Sequence, residues 1–132
     1  MNSTTKHPRP LSPFLNYRWQ YTMTLSFLHR ATGCALSVGL ILFVYWRAAF
    51  ASCDAAYSQA QAVFAHPLIK LLLIGFSFAF FYHLMNGVRH LVWDTVHGLE
   101  RKSARKSGWV AFIGSVVLTL VFWVLALSGG AA

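Results

Sequence analysis

Three long apolar stretches divide the chain and predict its architecture. They cover about residues 22–50, 68–94 and 108–128. A transmembrane helix needs about 20 predominantly apolar residues, and each stretch meets that length. The pattern therefore predicts an all-α membrane protein with three transmembrane helices. Three helices enclose little interior, so we expect further membrane partners around this chain.

The second span carries a stripe of chemically distinctive residues along one face. Its members follow one another in steps of four, three and four, and they are His83, Gly87, His90 and Asp94. At about 100° per residue, these steps keep all of them on one side of a helix. Ionisable groups at membrane depth are expensive and mark a functional site by default. The stripe therefore predicts a site in the second span.

The first span carries a stripe with the same spacing. Its members are Ser26, Arg30, Gly33 and Ser37. Gly33 and Ser37 form a pair of small residues that lets another helix approach closely. Ser26 and Arg30 lie one turn apart near the start of the span. Arg30 serves either a function shared with Ser26 and the adjacent His29, or it only anchors the helix end by snorkelling.

Charge is scarce in the chain, and its distribution indicates topology. Charged residues make up 11% of the sequence and hydrophobic residues 57%, whereas about a quarter of a soluble domain is charged. The net charge of +8 comes mainly from the N-terminal arm and the segment between the second and third spans. This is the positive-inside pattern. We expect a multi-pass protein of the bacterial inner membrane, with a cytoplasmic N-terminus, a periplasmic C-terminus and no nucleic-acid partner.

The segments outside the spans contain no candidate site residue. Residues 1–20 are predicted to form a cytoplasmic arm, kept extended by prolines, and residues 21–132 to form the three-helix anchor. Three interpretations of the arm are open: it lies along the membrane surface, it docks on a soluble partner, or it is disordered. Asp54 to Ala65 is predicted to be a short polar connection that is partly helical.

Arg89 and the third span are predicted to have structural roles only. Arg89 lies off the stripe of the second span, and we expect it to snorkel to the membrane surface. The third span is uncharged, with Trp109 and Trp123 near its ends, as interfacial aromatic belts favour. It is predicted to be a structural helix facing lipid.

His83 has the surroundings that an axial haem ligand needs. Neutral imidazole binds haem iron, and Gly87 leaves room one turn later for a flat ligand. Arg30, His29 and His90 are candidates to meet the haem propionates. On spacing alone, a hydrogen-bonded packing histidine is the simpler interpretation of His83.

The end of the second stripe offers two interpretations. His90 and Asp94 lie one turn apart, so they form either an ion pair or part of a proton relay. A helix-end ion pair is the simpler of the two. The relay remains a hypothesis.

Three segments together resemble a known family. They are Arg9–Pro13 in the arm, Ser26–Gly33 in the first span and His83–Asp94 in the second. In order, spacing and the three-span layout they resemble the cytochrome b membrane-anchor subunit of succinate dehydrogenase, complex II. The resemblance covers nearly the whole chain.

The resemblance implies a fold, partners and a reaction. Such a subunit forms half of a heterodimeric helix bundle with a second small membrane anchor. Together the two anchors hold the flavoprotein and iron–sulfur subunits at the bilayer. Electrons from succinate then pass through the iron–sulfur centres to ubiquinone, and a haem b lies between the anchors.

The resemblance also implies roles for individual residues. His83 would be the haem-iron ligand from this chain, with the other ligand from the second anchor. Ser26 and Arg30 would line the quinone site, and His29 and Arg30 would lie near the haem propionates. Asp94, with His90, is the candidate proton relay.

Three other functions compete with this one. A purely structural anchor would hold a dehydrogenase at the membrane without binding haem or quinone. A small transport or channel subunit would use the histidine stripe as a proton path, but the chain has no internal repeat. The related fumarate reductase anchor would run the reaction backward with menaquinone.

Overall fold

The computed structural model describes residues 20–129 of the chain. In this range it contains helices and no strand: α1 (Tyr21–Ser52), α2 (Asp54–Ala65), α3 (Pro67–Asp94) and α4 (Arg101–Gly129). α1, α3 and α4 are long and apolar enough to cross a membrane. The predicted all-α membrane architecture is therefore confirmed. The predicted arm lies outside the described residues except for Gln20.

Helix α4 begins earlier than the apolar pattern suggests. The predicted third span starts at residue 108, whereas α4 starts at Arg101 and includes the whole basic segment. Hydropathy detects only the part of a helix that suits hydrocarbon. Arginine, lysine and alanine are good helix formers, so the helix continues into the polar side of the interface.

The predicted connection from Asp54 to Ala65 is helical along its whole length. α2 packs on α1, where Tyr57 meets the ring of Phe50 edge-on, and Ala60 of α2 is fully buried. At its end, Pro67 occupies the first turn of α3, and the His66 side chain accepts a hydrogen bond from the backbone N–H of Leu68. This cap fixes where α3 begins.

Helix α3 lies between α1 and α4 and packs against both. The face of α4 that packs on protein contains a row of small residues, and its buried members are Ala104, Gly108, Ala111, Ser115 and Thr119. Small residues let helix backbones approach closely in a membrane. The prediction that the third span simply faces lipid is therefore wrong for this face, although Val124 and Leu127 on the outer faces are exposed.

Helices α1 and α4 also meet directly near the end that carries the basic residues. A Cβ at Gly108 would collide with Leu25 and would lie 3.1 Å from the hydroxyl oxygen of Tyr21. The absence of a side chain at Gly108 is therefore what allows this approach. It holds the first turns of α1 close to α3 and α4.

The turn between α3 and α4 contains two residues in the left-handed region. Val96 has a φ of 64° and Gly98 a φ of 76°. Glycine adopts this conformation without a steric cost, whereas a β-branched residue does not. The short turn makes α3 and α4 antiparallel neighbours, and Val96 carries local backbone strain.

Candidate functional site

Three stacked imidazole rings join α1 to the predicted stripe of α3. The ring of His29 on α1 lies between those of His83 and His90 on α3. Its centroid is 4.0 Å from that of His83, at an interplanar angle of 13°, and 5.1 Å from that of His90, at 19°. The sequence placed these histidines on two helices, and the tertiary structure brings them to one site.

Close approach of α1 and α3 makes this stack possible. A Cβ built at Gly33 would lie 3.1 Å from Cε1 of His83, so glycine leaves room for the imidazole against α1. One residue away, the buried hydroxyl of Tyr82 donates a hydrogen bond to the backbone carbonyl of Leu25, at 3.3 Å. These contacts set the depth at which His83 faces α1.

The hydrogen bonds of His83 define its tautomer. Its Nδ1 lies 3.1 Å from the backbone carbonyl oxygen of His29 and 3.4 Å from Oγ1 of Thr32. A carbonyl oxygen only accepts hydrogen bonds, so Nδ1 carries the hydrogen and donates it. The lone pair then resides on Nε2, which makes no hydrogen bond to any described residue. This is the arrangement of a metal-binding histidine with an oriented ring.

The space beside His83 suits a flat ligand. A Cβ built at Gly87, one turn further along the same face, would have no atom within 4 Å. Among residues 20–129, no three His, Cys, Asp or Glu side chains come together as a metal site. A metal bound by His83 would therefore need other ligands, as a porphyrin and a partner chain provide. The residues present fit a haem held from one side.

Ser26 and Arg30 form a pair beside the histidines. Nη2 of Arg30 donates a hydrogen bond to Oγ of Ser26 at 3.3 Å. The Arg30 side chain is exposed and Ser26 is half-buried. The predicted sharing of a face by these two residues is confirmed by this contact. Arg30 is accessible to a ligand or partner, and Ser26 is partly accessible.

The predicted ion pair between His90 and Asp94 is wrong. Nδ1 of His90 lies 2.7 Å from the backbone carbonyl oxygen of Asn86, and its ring stacks toward His29 and meets Trp93 edge-on. With Nδ1 directed along its own helix and the ring facing α1, the imidazole does not reach the carboxylate. Asp94 is exposed at the helix end.

Arg89 does not snorkel, contrary to expectation. It is 7% exposed, and its guanidinium donates to Oγ of Ser107 at 2.9 Å, to the carbonyl of Ala104 at 3.0 Å and to Oδ1 of Asn86 at 3.3 Å. It also lies 4.0 Å from the ring centroid of Trp93. These bonds offset the cost of burying the guanidinium, and the side chain joins α3 to α4.

A second stripe on α3 identifies this network, and sequence reasoning missed it. Tyr82, Asn86, Arg89 and Trp93 follow one another in steps of four, three and four, the same spacing as the histidine stripe. Asn86 is fully buried and also donates from Nδ2 to the carbonyl of Tyr82, at 3.1 Å. The regular spacing of these four residues in the sequence is the signal that identifies them.

Comparison with known proteins finds one consistent group of relatives. The model of the succinate dehydrogenase/fumarate reductase transmembrane subunit family matches residues 5–122. The succinate dehydrogenase cytochrome b556 subunit of Rickettsia felis is 41% identical over 118 residues, which are 88% of this chain and 91% of the relative. That of Paracoccus denitrificans is 37% identical, over 92% of this chain and 94% of the relative.

A eukaryotic relative is similar to the same extent. The mitochondrial succinate dehydrogenase cytochrome b560 subunit of Sus scrofa is 37% identical over 112 residues, which are 83% of this chain and 66% of the relative. The similarity therefore extends from bacterial to mitochondrial proteins.

Proposed function

Because the chain belongs to the succinate dehydrogenase/fumarate reductase transmembrane subunit family, we propose that it is the membrane-anchor and haem b subunit of a succinate:quinone oxidoreductase. In that role it forms half of a heterodimeric helix bundle with a second small anchor. The two anchors hold the flavoprotein and iron–sulfur subunits at the bacterial inner membrane. The N-terminus and the basic start of α4 face the cytoplasm, and the C-terminus faces the periplasm.

The orientation of the His83 imidazole is the observation that best supports this proposal. Its Nδ1 is engaged by the carbonyl of His29 and its Nε2 has no partner among the described residues, so the lone pair is available to iron. His29, Arg30 and His90 would hold the propionates, and the second anchor would supply the other axial ligand. When bound, the haem supplies a reversible one-electron carrier between the anchors.

The pair of Ser26 and Arg30 supports a quinone site on the same side of the membrane. Here the Ser26 hydroxyl donates a hydrogen bond to one carbonyl of ubiquinone. Arg30 places positive charge where negative charge develops on the reduced oxygen, and such stabilisation is strong in a site that excludes water. Asp94 or His90, near the helix end, would serve as a proton relay between the cytoplasmic surface and this site.

The haem assignment is tested on the complex purified through a tag on this chain. We expect a low-spin haem b band in the dithionite-reduced minus oxidised spectrum, and we expect His83→Leu to alter or remove it. His97 lies in the exposed turn after α3, so His97→Leu is the matched control and leaves the band unchanged. An intact, succinate-oxidising complex without any haem band contradicts the haem role.

The quinone site is tested by comparing two electron acceptors. Ser26→Ala and Arg30→Leu should depress succinate-to-quinone activity about tenfold or more and spare succinate oxidation by an artificial dye. Ser37→Ala, on the same face but further along α1, is the control. Equal loss of both activities would indicate failed assembly and would favour a purely structural anchor.

A further inference from the structure

Thr32 stands at the back of the His83 imidazole, on the side away from Nε2. Its Oγ1 lies 2.9 Å from the carbonyl oxygen of Leu28 and 2.9 Å from that of His29, and 3.4 Å from Nδ1 of His83. The hydroxyl has a single hydrogen, and the two carbonyls share it. What Oγ1 offers to His83 is therefore a lone pair.

The contacts of this group require a hydrogen on Nδ1 of His83. If Nδ1 were unprotonated, its lone pair would face the lone pairs of the His29 carbonyl at 3.1 Å, which is repulsive. With the hydrogen on Nδ1, both the carbonyl and the Thr32 hydroxyl accept from it. Because that hydroxyl also donates to a carbonyl, it is polarised into a better acceptor.

The His83 ring is confined as well as hydrogen-bonded. The His29 ring stacks on one face, and the backbone at Gly33 lies close to Cε1, where a Cβ would come within 3.1 Å. Rotation of the imidazole away from Thr32 is therefore obstructed. The hydrogen bond from Nδ1 persists as a fixed feature of the site.

From these contacts we propose that Thr32 is a positioning residue that, with the His29 carbonyl, tunes the haem ligand His83 and so sets the haem reduction potential. Acceptors on the N–H of a ligating histidine raise the basicity of its other nitrogen. A more basic Nε2 stabilises the oxidised metal and lowers the potential. This inference rests on the proposed function, since it requires that His83 ligates a haem.

Potentiometric titration of the haem in the purified complex tests this inference. Thr32→Val keeps the shape of the side chain and removes the acceptor. At a fixed potential, loss of this one hydrogen bond should raise the ratio of reduced to oxidised haem by roughly threefold to tenfold, and tenfold corresponds to 59 mV for one electron. Thr32→Ser restores the hydroxyl and should restore the potential.

Thr24→Val is the matched control. Thr24 lies two turns earlier on the same helix, and its hydroxyl donates only to the carbonyl of Gln20, at 3.4 Å. If Thr32→Val disrupts assembly, Thr32→Ala removes the same hydroxyl without adding a methyl group, and it should raise the potential in the same direction.

The outcomes separate the two claims. A haem band whose midpoint in the Thr32→Val or Thr32→Ala complex equals that of Thr24→Val overturns this inference alone. The absence of any haem band from the unaltered complex overturns both this inference and the proposed haem role. A raised midpoint that Thr32→Ser reverses supports both.

Discussion

Replacing Arg89 by methionine removes the guanidinium that joins α3 to α4. Methionine keeps an unbranched apolar stem but loses the hydrogen bonds to Ser107, Ala104 and Asn86 and the contact with the Trp93 ring. Hydrogen bonds between membrane helices average about 0.6 kcal/mol each, a value that we also apply to the Asn86 bond within α3, and a cation–π contact adds about 1 kcal/mol. Arg89→Met should therefore destabilise the folded chain by about 3 kcal/mol.

Thermal inactivation of the assembled complex measures this loss. If the lost contacts are already broken in the unfolding transition state, the whole loss of about 3 kcal/mol appears in the unfolding rate. Inactivation is then up to about 100-fold faster. The assay follows dissociation of the complex at a fixed temperature by size-exclusion chromatography. Succinate oxidation by a dye confirms that each variant was assembled at the start.

Arg47→Met provides the matched control. Arg47 is exposed on α1, with its guanidinium 5.6 Å from the Phe50 ring centroid, and exposed contacts of this kind contribute at most about 1 kcal/mol. Arg89→Met and Ser107→Ala should also be non-additive when combined, because they remove the same bond. Inactivation of Arg89→Met at a rate within about twofold of Arg47→Met would refute the reasoning.

Two further variants test contacts elsewhere in the fold by the same inactivation assay. Tyr82→Phe removes the buried hydroxyl that donates to Leu25 and should cost about 1 kcal/mol, whereas Tyr57→Phe on α2 should not; equal rates for the two would count against the bond. Val96→Asn relieves a left-handed residue that is 77% exposed and should stabilise the turn by about 1 kcal/mol. Faster inactivation of the asparagine variant would show that Val96 is not strained.

The apolar pattern alone predicted the three spans. Runs of apolar residues in α1, α3 and α4 are long enough to cross a bilayer, and a helix satisfies its own backbone hydrogen bonds there. The helical spacing also placed His83, Gly87 and His90 on one face. These features depend on local periodicity, which the sequence displays directly.

What the apolar pattern did not show is which helix faces meet lipid and which meet protein. Lipid tails are as apolar as leucine, so hydropathy does not separate the two. The small residues of α4, such as Gly108 and Ser115, pack against protein, although the third span was predicted to face lipid. The repeated spacing of small residues on α4 was the available signal.

The chemistry of the site depended on contacts between residues far apart in the chain. The sequence nominated His83 as a ligand, but only the approach of α1 at Gly33 gives its Nδ1 the His29 carbonyl and the Thr32 hydroxyl as partners. Likewise, the partners on α4 explain why Arg89 is buried. The sequence by itself determined the helices and the residues on each face. The tertiary structure decided the hydrogen-bond partners, because these depend on how closely and at what depth two helices cross.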